Sequence, residues 1–446
     1  MKFLLNDVLG MADIAKLPGF EEASPDMVDA ILDEAFRFFG EVLASTNQPA
    51  DGQGSSLKDG QVITAPALDG IYQQIVEAGW PGLTGDTNYG GQGLPSLLAV
   101  AVDEMSQSAN MAFSLCPMLT KGVVTALSLY GSDEQKQTYL ENLVSGTWAG
   151  TMNLTEPQAG SDLAAVRTKA VPCGDHYLLS GQKIFITWGD HDYTDNIIHL
   201  VLARTPDAPE GVKGISLFVV PKFLINEDGS SGERNDVSCV GVEHKLGIHA
   251  SPTCSLSFGD NDGAVGYLVG EENQGLVYMF AMMNEARLAE GTNGIQALDL
   301  VGRKLARDKG QSAMELLGEL NLVVEDACGA GLTTIADSLA SSLAACQEAA
   351  QILLNVEDKG DWATPSSAAY NMLMLMGTTV AGGLLVKSAV VATNLNTAGE
   401  GNTSFNNNKV ITAKFFAQHA MTRNTGYLEA IKAGPEAVMA LDIESF

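Results

Sequence analysis

The stretch best equipped for chemistry runs Met152-Asn153-Leu154-Thr155-Glu156-Pro157-Gln158-Ala159-Gly160-Ser161-Asp162. Thr155 and Ser161 offer hydroxyl donors, and Gly160-Ser161 offers backbone N–H groups that a ligand can approach closely, a set that suits a polar ring and a phosphate. A capped loop between helix and sheet fits the same residues, and composition alone leaves the two readings even. Other chemistries find less support. No Gly-x-Gly-x-x-Gly follows a strand and no Gly-x-x-x-x-Gly-Lys occurs, which disfavours the two commonest nucleotide cradles. No Gly-x-Ser-x-Gly elbow is present, and six histidines offer no convincing triad. His244 and His249 stand one helical turn apart in spacing, but Gly247 and its neighbours favour strand and turn; an ordinary hydrogen-bonded histidine is the better reading, and no metal site is assigned.

The elements that hold this stretch change character along the chain. Ser24-Pro25-Asp26 supplies an N-cap, a proline at the first helical position and an acid at the positive end of the dipole. Val28, Ile31, Leu32, Ala35, Phe39, Val42 and Leu43 then recur at helical spacing. A polar stretch at 47–60 separates this helix from a second at about 68–78, and helices resume from Pro95 to Leu129. Ser132 and Gln135 form a capping-box pattern opening a helix to about Val144. After Trp148 the period shortens: Tyr177-Leu178-Leu179 and Lys183 to Thr187 read as two strands joined by a hairpin at Ser180-Gly181, followed by short β-branched runs at 197–203 and 215–220. Helical patterning returns at 275–288 and continues to residue 446, broken by an Asn-rich insert at 394–408 that reads as an exposed loop. Helices, then strands, then helices indicate an α+β chain.

At 446 residues and 46% apolar content, two or three packed domains are expected. A net charge of −29 makes nucleic acid and anionic membrane surfaces poor partners. Six scattered cysteines, without a Cys-x-x-Cys pair, suit a reducing cytoplasm. The first residues, Met1 to Asp7, break their apolar run too early for a signal peptide, and the apolar run at 368–386, interrupted by Asn371 and three glycines, reads as a buried helix and not as a membrane span.

The segment at 152–162 resembles the flavin-binding signature of the acyl-CoA dehydrogenase family, and Gly181-Gln182-Lys183-Ile184-Phe185-Ile186-Thr187 resembles its second flavin-contacting strand. Glu290-Gly291-Thr292-Asn293-Gly294-Ile295-Gln296 is similar to the loop carrying the catalytic glutamate, and Met283-Asn284-Glu285-Ala286-Arg287 to the helix that touches acyl-CoA. Phrases at 110–116 and 243–249 look most like the 3-methylmercaptopropionyl-CoA dehydrogenase subgroup. The resemblance implies an N-terminal helical domain (1–148), a central β-barrel-like domain (149–272), a truncated C-terminal bundle (273–308) and a helical extension (309–446). It implies FAD as cofactor, lined by Leu154, Thr155, Gly160, Ser161, Phe185, Ile186 and Thr187, with Thr292, Asn293 and Gly294 approaching from the catalytic loop. Glu290 would remove the α-proton of an acyl-CoA thioester while the β-hydrogen leaves as hydride, giving a trans-2-enoyl-CoA; Ser161, Asn284 and Arg287 would face that substrate. A short or medium chain, or the 3-methylmercaptopropionyl group, is implied, together with an electron-transfer flavoprotein as acceptor and a homo-oligomeric state.

The chain also departs from the family. There the helix bearing Arg287 and the loop bearing Glu290 are separated by several long helices; here only Leu288 and Ala289 intervene, so one internal block of the bundle is missing. With it go the segments through which a neighbouring subunit holds the flavin's pyrophosphate and adenosine. Family members commonly carry Asp where Asn284 stands, and Glu285 sits one position away from where some place their base. A second reading follows: a catalytically impaired, flavin-poor remnant that binds acyl-CoA or a related subunit. A flavin-dependent oxidase is a third, separated from the first by oxygen access.

Overall fold

The structure, a computed structural model, describes residues 1–286, 293–357 and 361–440. The chain divides into two compact units, Met1–Asn6 with Gly10–Ala289, and Asp7–Leu9 with Glu290–Phe446.

The first unit opens with helices. α1 (Pro25–Arg37) is capped by Ser24, whose hydroxyl accepts from the Met27 N–H, and buries Val28, Leu32 and Ala35. The 47–60 stretch is more ordered than its polarity suggests, forming a short helix Asn47–Gln53 and the first strand of a small hairpin, Ser56–Lys58 paired with Gln61–Ile63. α2 (Ser96–Tyr130) bends at Asn110, whose φ of −155° leaves the helical range. The buried Asn110 amide stabilises that bend, accepting from Phe113 N–H at 3.1 Å and donating to Thr46 Oγ1 at 3.0 Å. α3 (Asp133–Ser145) carries the expected capping box between Ser132 and Gln135.

Ten strands follow among the described residues; Phe223–Ile225 and Ser231–Arg234 pair as a separate ribbon, and the other eight are β1 (Trp148–Asn153), β2 (Lys169–Cys173), β3 (His176–Thr187), β4 (Asn196–Ala203), β5 (Ser216–Pro221), β6 (Val237–Val242), β7 (Thr253–Phe258) and β8 (Ala264–Leu268). These eight form one sheet in the order β6-β7-β3-β8-β5-β4-β1, with β2 paired to β3. Only β1 and β4 run parallel within it; the other pairs are antiparallel. β4 is buried along its whole length, as a strand covered on both faces requires. β3 is shared: its first half pairs with β2 and β8, its second with β7, so the sheet curls about it.

That long strand corrects the expected hairpin at Ser180-Gly181. The turn lies earlier, at Gly174 (φ 65°) between β2 and β3, and the chain bends without reversing at Gly181, where φ is 152°. A Cβ at 181 would stand 2.5 Å from Thr168 Oγ1, so glycine serves close approach here and not chain reversal. A second close approach seats α2 on the sheet: Gly150 donates its N–H to Thr120 Oγ1 at 3.0 Å, and a Cβ there would meet Val123 at 2.6 Å. On the outer strand β6 the pairing with β7 slips between Cys239 and Gly241, leaving Val240 as a bulge. Helix α4 (Gly275–Ala286) closes the unit.

The second unit contains helices α5 (Gln311–Gly329), α6 (Thr333–Glu357), α7 (Ala363–Ala398), α8 (Thr403–His419) and α9 (Asn424–Lys432). They share a core that includes Leu320, Leu339, Leu343, Met372, Leu375, Val386, Ala417 and Ile431. The Asn-rich insert is not a loop. α7 runs to Ala398 and α8 begins at Thr403, with Gly399 and Gly401, both at φ 73°, making the turn. Asparagine amides satisfy one another across the corner: Asn406 donates to Asn396 Oδ1 and Asn396 donates to Asn407 Oδ1, each at 3.0 Å, while the Asn402 side chain caps α8 by accepting from Phe405 N–H. Among the described residues α2 and α7 are long and apolar enough to cross a membrane by length and composition; in their most apolar stretches 61% and 44% of residues are buried inside the fold.

Candidate functional site

The candidate site lies in the first unit, where the loop after β1 meets the end of β3. The loop is fastened by an ion pair that sequence reasoning missed. Lys183 on β3 is fully buried and donates to Glu156 Oε1 at 2.8 Å and to Leu154 O at 3.2 Å. Glu156, also buried, gathers further bonds from Thr168 Oγ1 (2.6 Å), Thr168 N–H (3.0 Å), Arg167 N–H (2.7 Å) and Gln158 Nε2 (2.6 Å). Burial acts to raise the Glu156 pKa, but Lys183 and the hydrogen bonds outweigh it and hold the group at about 2. Burial draws Lys183 down to about 8 against the attraction of Glu156. A lysine at the same inward-facing parity as Leu179 was the available sequence signal. Such a charge is affordable only with a buried acid opposite it.

The clamp brings the loop to the strand. Ile184 N–H donates to Thr155 O at 2.9 Å, setting Thr155 beside the 184–185 step of β3. At that step the register with β7 slips, so that Ile184 and Phe185 oppose Ser255 alone. Phe185 takes up the extra residue in the left-handed region, φ 60°, and the residue is 57% exposed. A bulky residue with positive φ is a strained placement that the surroundings must enforce. Hydrogen bonds on both sides do so, from Ile184 N–H to Thr155 O and from Trp188 N–H to Pro252 O at 2.7 Å. Trp188, itself at φ 51°, is buried and donates its indole N–H to Ala112 O on α2 at 2.9 Å.

Among the described residues the hydroxyls of Thr155, Ser161 and Thr187, and the backbone N–H groups of Thr155, Gly160 and Ser161, make no hydrogen bond to protein. Free donors on this loop and strand, together with an exposed aromatic ring, suit a flat polar heterocycle such as a flavin, which would pack on Phe185 and would satisfy the donors with its heteroatoms. Leu154 is partly buried and Gly160 packs 3.7 Å from Thr155 Cγ2 (measured from the position a Cβ would occupy), so both shape the loop. Ile186 points its side chain into the core. Asn284 is exposed on α4. Asn293 and Gly294 open the short helix Asn293–Asp299 of the second unit. Glu290, Arg287 and Thr292 lie outside the described residues. His249 engages both ring nitrogens, with Asp51 Oδ1 at 3.0 Å and Lys245 O at 2.8 Å, which leaves neither for a metal.

Comparison with known proteins places the chain in a class. Residues 28–147 match the acyl-CoA dehydrogenase N-terminal domain, 151–261 the acyl-CoA dehydrogenase middle domain, and 316–442 the acetyl-CoA dehydrogenase C-terminal-like domain. The chain belongs to the acyl-CoA dehydrogenase family. It is 48% identical over 70% of its length to the 3-methylmercaptopropionyl-CoA dehydrogenase of Ruegeria pomeroyi, covering 53% of that protein. To the short-chain specific acyl-CoA dehydrogenase of Clostridium acetobutylicum it is 32% identical over 57% of its length, covering 67% of that protein. The solved butyryl-CoA dehydrogenase of Megasphaera elsdenii aligns with 92% of this chain and 97% of its own at 19% identity and a TM-score of 0.49. The chain spans about half the length of most curated relatives it matches.

Proposed function

We propose that this chain is an FAD-dependent acyl-CoA dehydrogenase that converts a short or medium acyl-CoA, or the 3-methylmercaptopropionyl thioester, to its trans-2-enoyl-CoA. The observation that carries this reading is the bulge that turns Phe185 outward beside free hydroxyl and N–H donors, on a loop fastened by Glu156 and Lys183. When bound, FAD supplies the acceptor for the β-hydrogen, which leaves as hydride. The chain supplies the rest. Glu290 accepts the α-proton; its proton affinity rises as the acyl chain excludes water from it. Thioester α-protons are too weakly acidic for an isolated carboxylate, so backbone N–H groups must stabilise the charge that develops on the carbonyl oxygen. Thr155, Ser161 and Thr187 orient the ring, and Asn284 and Arg287 hold the thioester's CoA portion. Electrons pass on to an electron-transfer flavoprotein, and the working form is a cytoplasmic homo-oligomer.

The test is the visible spectrum of the purified chain with and without added FAD, followed by titration with acyl-CoA. Bound flavin that bleaches with acyl-CoA, and that stays bound without bleaching in Glu290→Gln, supports the reading. A protein that remains colourless after FAD is added overturns it in favour of a remnant that only binds.

A further inference from the structure

Lys183 has a second hydrogen bond besides the one to Glu156, and it goes to the oxygen of the peptide joining Leu154 to Thr155. An ammonium donating to a carbonyl withdraws electron density along the amide, which makes the N–H on the same peptide a stronger donor. That N–H belongs to Thr155, and it has no protein partner among the described residues. The other carbonyl bounding the residue, Thr155 O, is fixed by Ile184 N–H at 2.9 Å. Thr155 is thus clamped through both flanking oxygens while its donors are left free. The clamp cannot wander, because Lys183 is fully enclosed and Glu156 accepts from five groups.

On the flavin reading above, we propose that Lys183 is a positioning residue that tunes the bound flavin: through the Leu154 carbonyl it strengthens the Thr155 N–H as a donor to an acceptor atom of the ring. Reduction by two electrons increases negative charge on that ring system, so a strengthened donor favours the reduced state. Removing the ammonium then shifts the two-electron equilibrium toward the oxidised flavin.

Two variants separate this role from simple support of the loop. Lys183→Met removes the ammonium but leaves Glu156 unpaired in the interior. The double variant Glu156→Gln, Lys183→Met removes both charges, whose fields largely cancel, and retains a neutral interior that is expected to fold. What the double variant loses is the hydrogen bond to Leu154 O. Reduction potentials are measured against reference dyes on the flavin-loaded proteins, and the FAD dissociation constant is measured in parallel. A roughly tenfold shift toward oxidised flavin, about 30 mV for a two-electron couple, is expected in both variants. An unchanged potential in a double variant that still retains flavin overturns the proposal, whatever happens to the dissociation constant. Wild-type protein that takes up no FAD overturns the flavin reading and this proposal together, so the two failures are told apart by the wild type alone.

Discussion

Replacing Lys183 by Met tests whether a single enclosed ion pair holds the site together. The pair spans 2.8 Å with both side chains buried, and four other donors would remain on Glu156 after the substitution. Breaking a buried pair from one side leaves an uncompensated charge and costs about 3–5 kcal/mol. For a domain of about 150–250 residues that corresponds to a fall in Tm of roughly 6–20 °C, and for this larger unit to somewhat less. Neutralising both partners with Glu156→Gln and Lys183→Met should recover most of the loss, since isosteric neutral pairs are often as stable as the ions they replace. The pH dependence gives a second handle. Glu156 is held at about 2, below its ordinary value of 4.5, so its contribution is complete above about pH 4.5 and disappears as pH falls through 2. The difference between wild type and Lys183→Met should therefore shrink across that window, because acid protonates in the wild type the same carboxylate that the variant leaves unpaired. Thermal melts between pH 7 and 3 measure both effects. A loss under about 1 kcal/mol at neutral pH, or a double variant as unstable as the single one, would refute the assignment of this pair as the fastening of the loop.

Phe185→Gly should relieve a strained backbone and stabilise the flavin-free protein by about 1 kcal/mol, while weakening FAD binding about tenfold through loss of the ring's packing; opposite signs in melting and in flavin titration check this. Gly181→Ala should cost several kcal/mol, since φ 152° is unsuited to a side chain and the new methyl would meet Thr168 Oγ1 at 2.5 Å; equilibrium unfolding measures it. Burial, with Lys222 adding repulsion, holds His191 and His199 near 3, below the ordinary 6.5. The unfolded chain then binds more protons between those limits, so stability should fall as pH drops from about 6.5 toward 3, and a His191→Gln, His199→Gln variant should show a flatter profile in acid melts.

Sequence carried the fold where local chemistry is self-sufficient. The capping box at Ser132 and Gln135 and the stripe from Val28 to Leu43 needed no tertiary information to be read. The motif at 154–161 marked the loop, yet its fastening was invisible because Glu156 and Lys183 are 27 residues apart and only the curl of the sheet joins them. The Ser180-Gly181 pair has turn chemistry, but burial of β3 between two sets of neighbours outweighed it. The asparagines at 394–408 were misread for a related reason: amides that favour loops when alone satisfy one another when two helices meet. The outward turn of Phe185 depends on a register slip between strands, which no local pattern encodes.

The displaced residue at Val240 bears on how the border of the sheet meets other molecules. β6 is the last strand on its side of the sheet, and a flat border strand is an invitation for a neighbouring molecule to zip on. The extra residue interrupts the even spacing that such zipping needs. Straightening that border by deleting Val240 is expected to ease self-association, read as increased light scattering on standing relative to the parent chain.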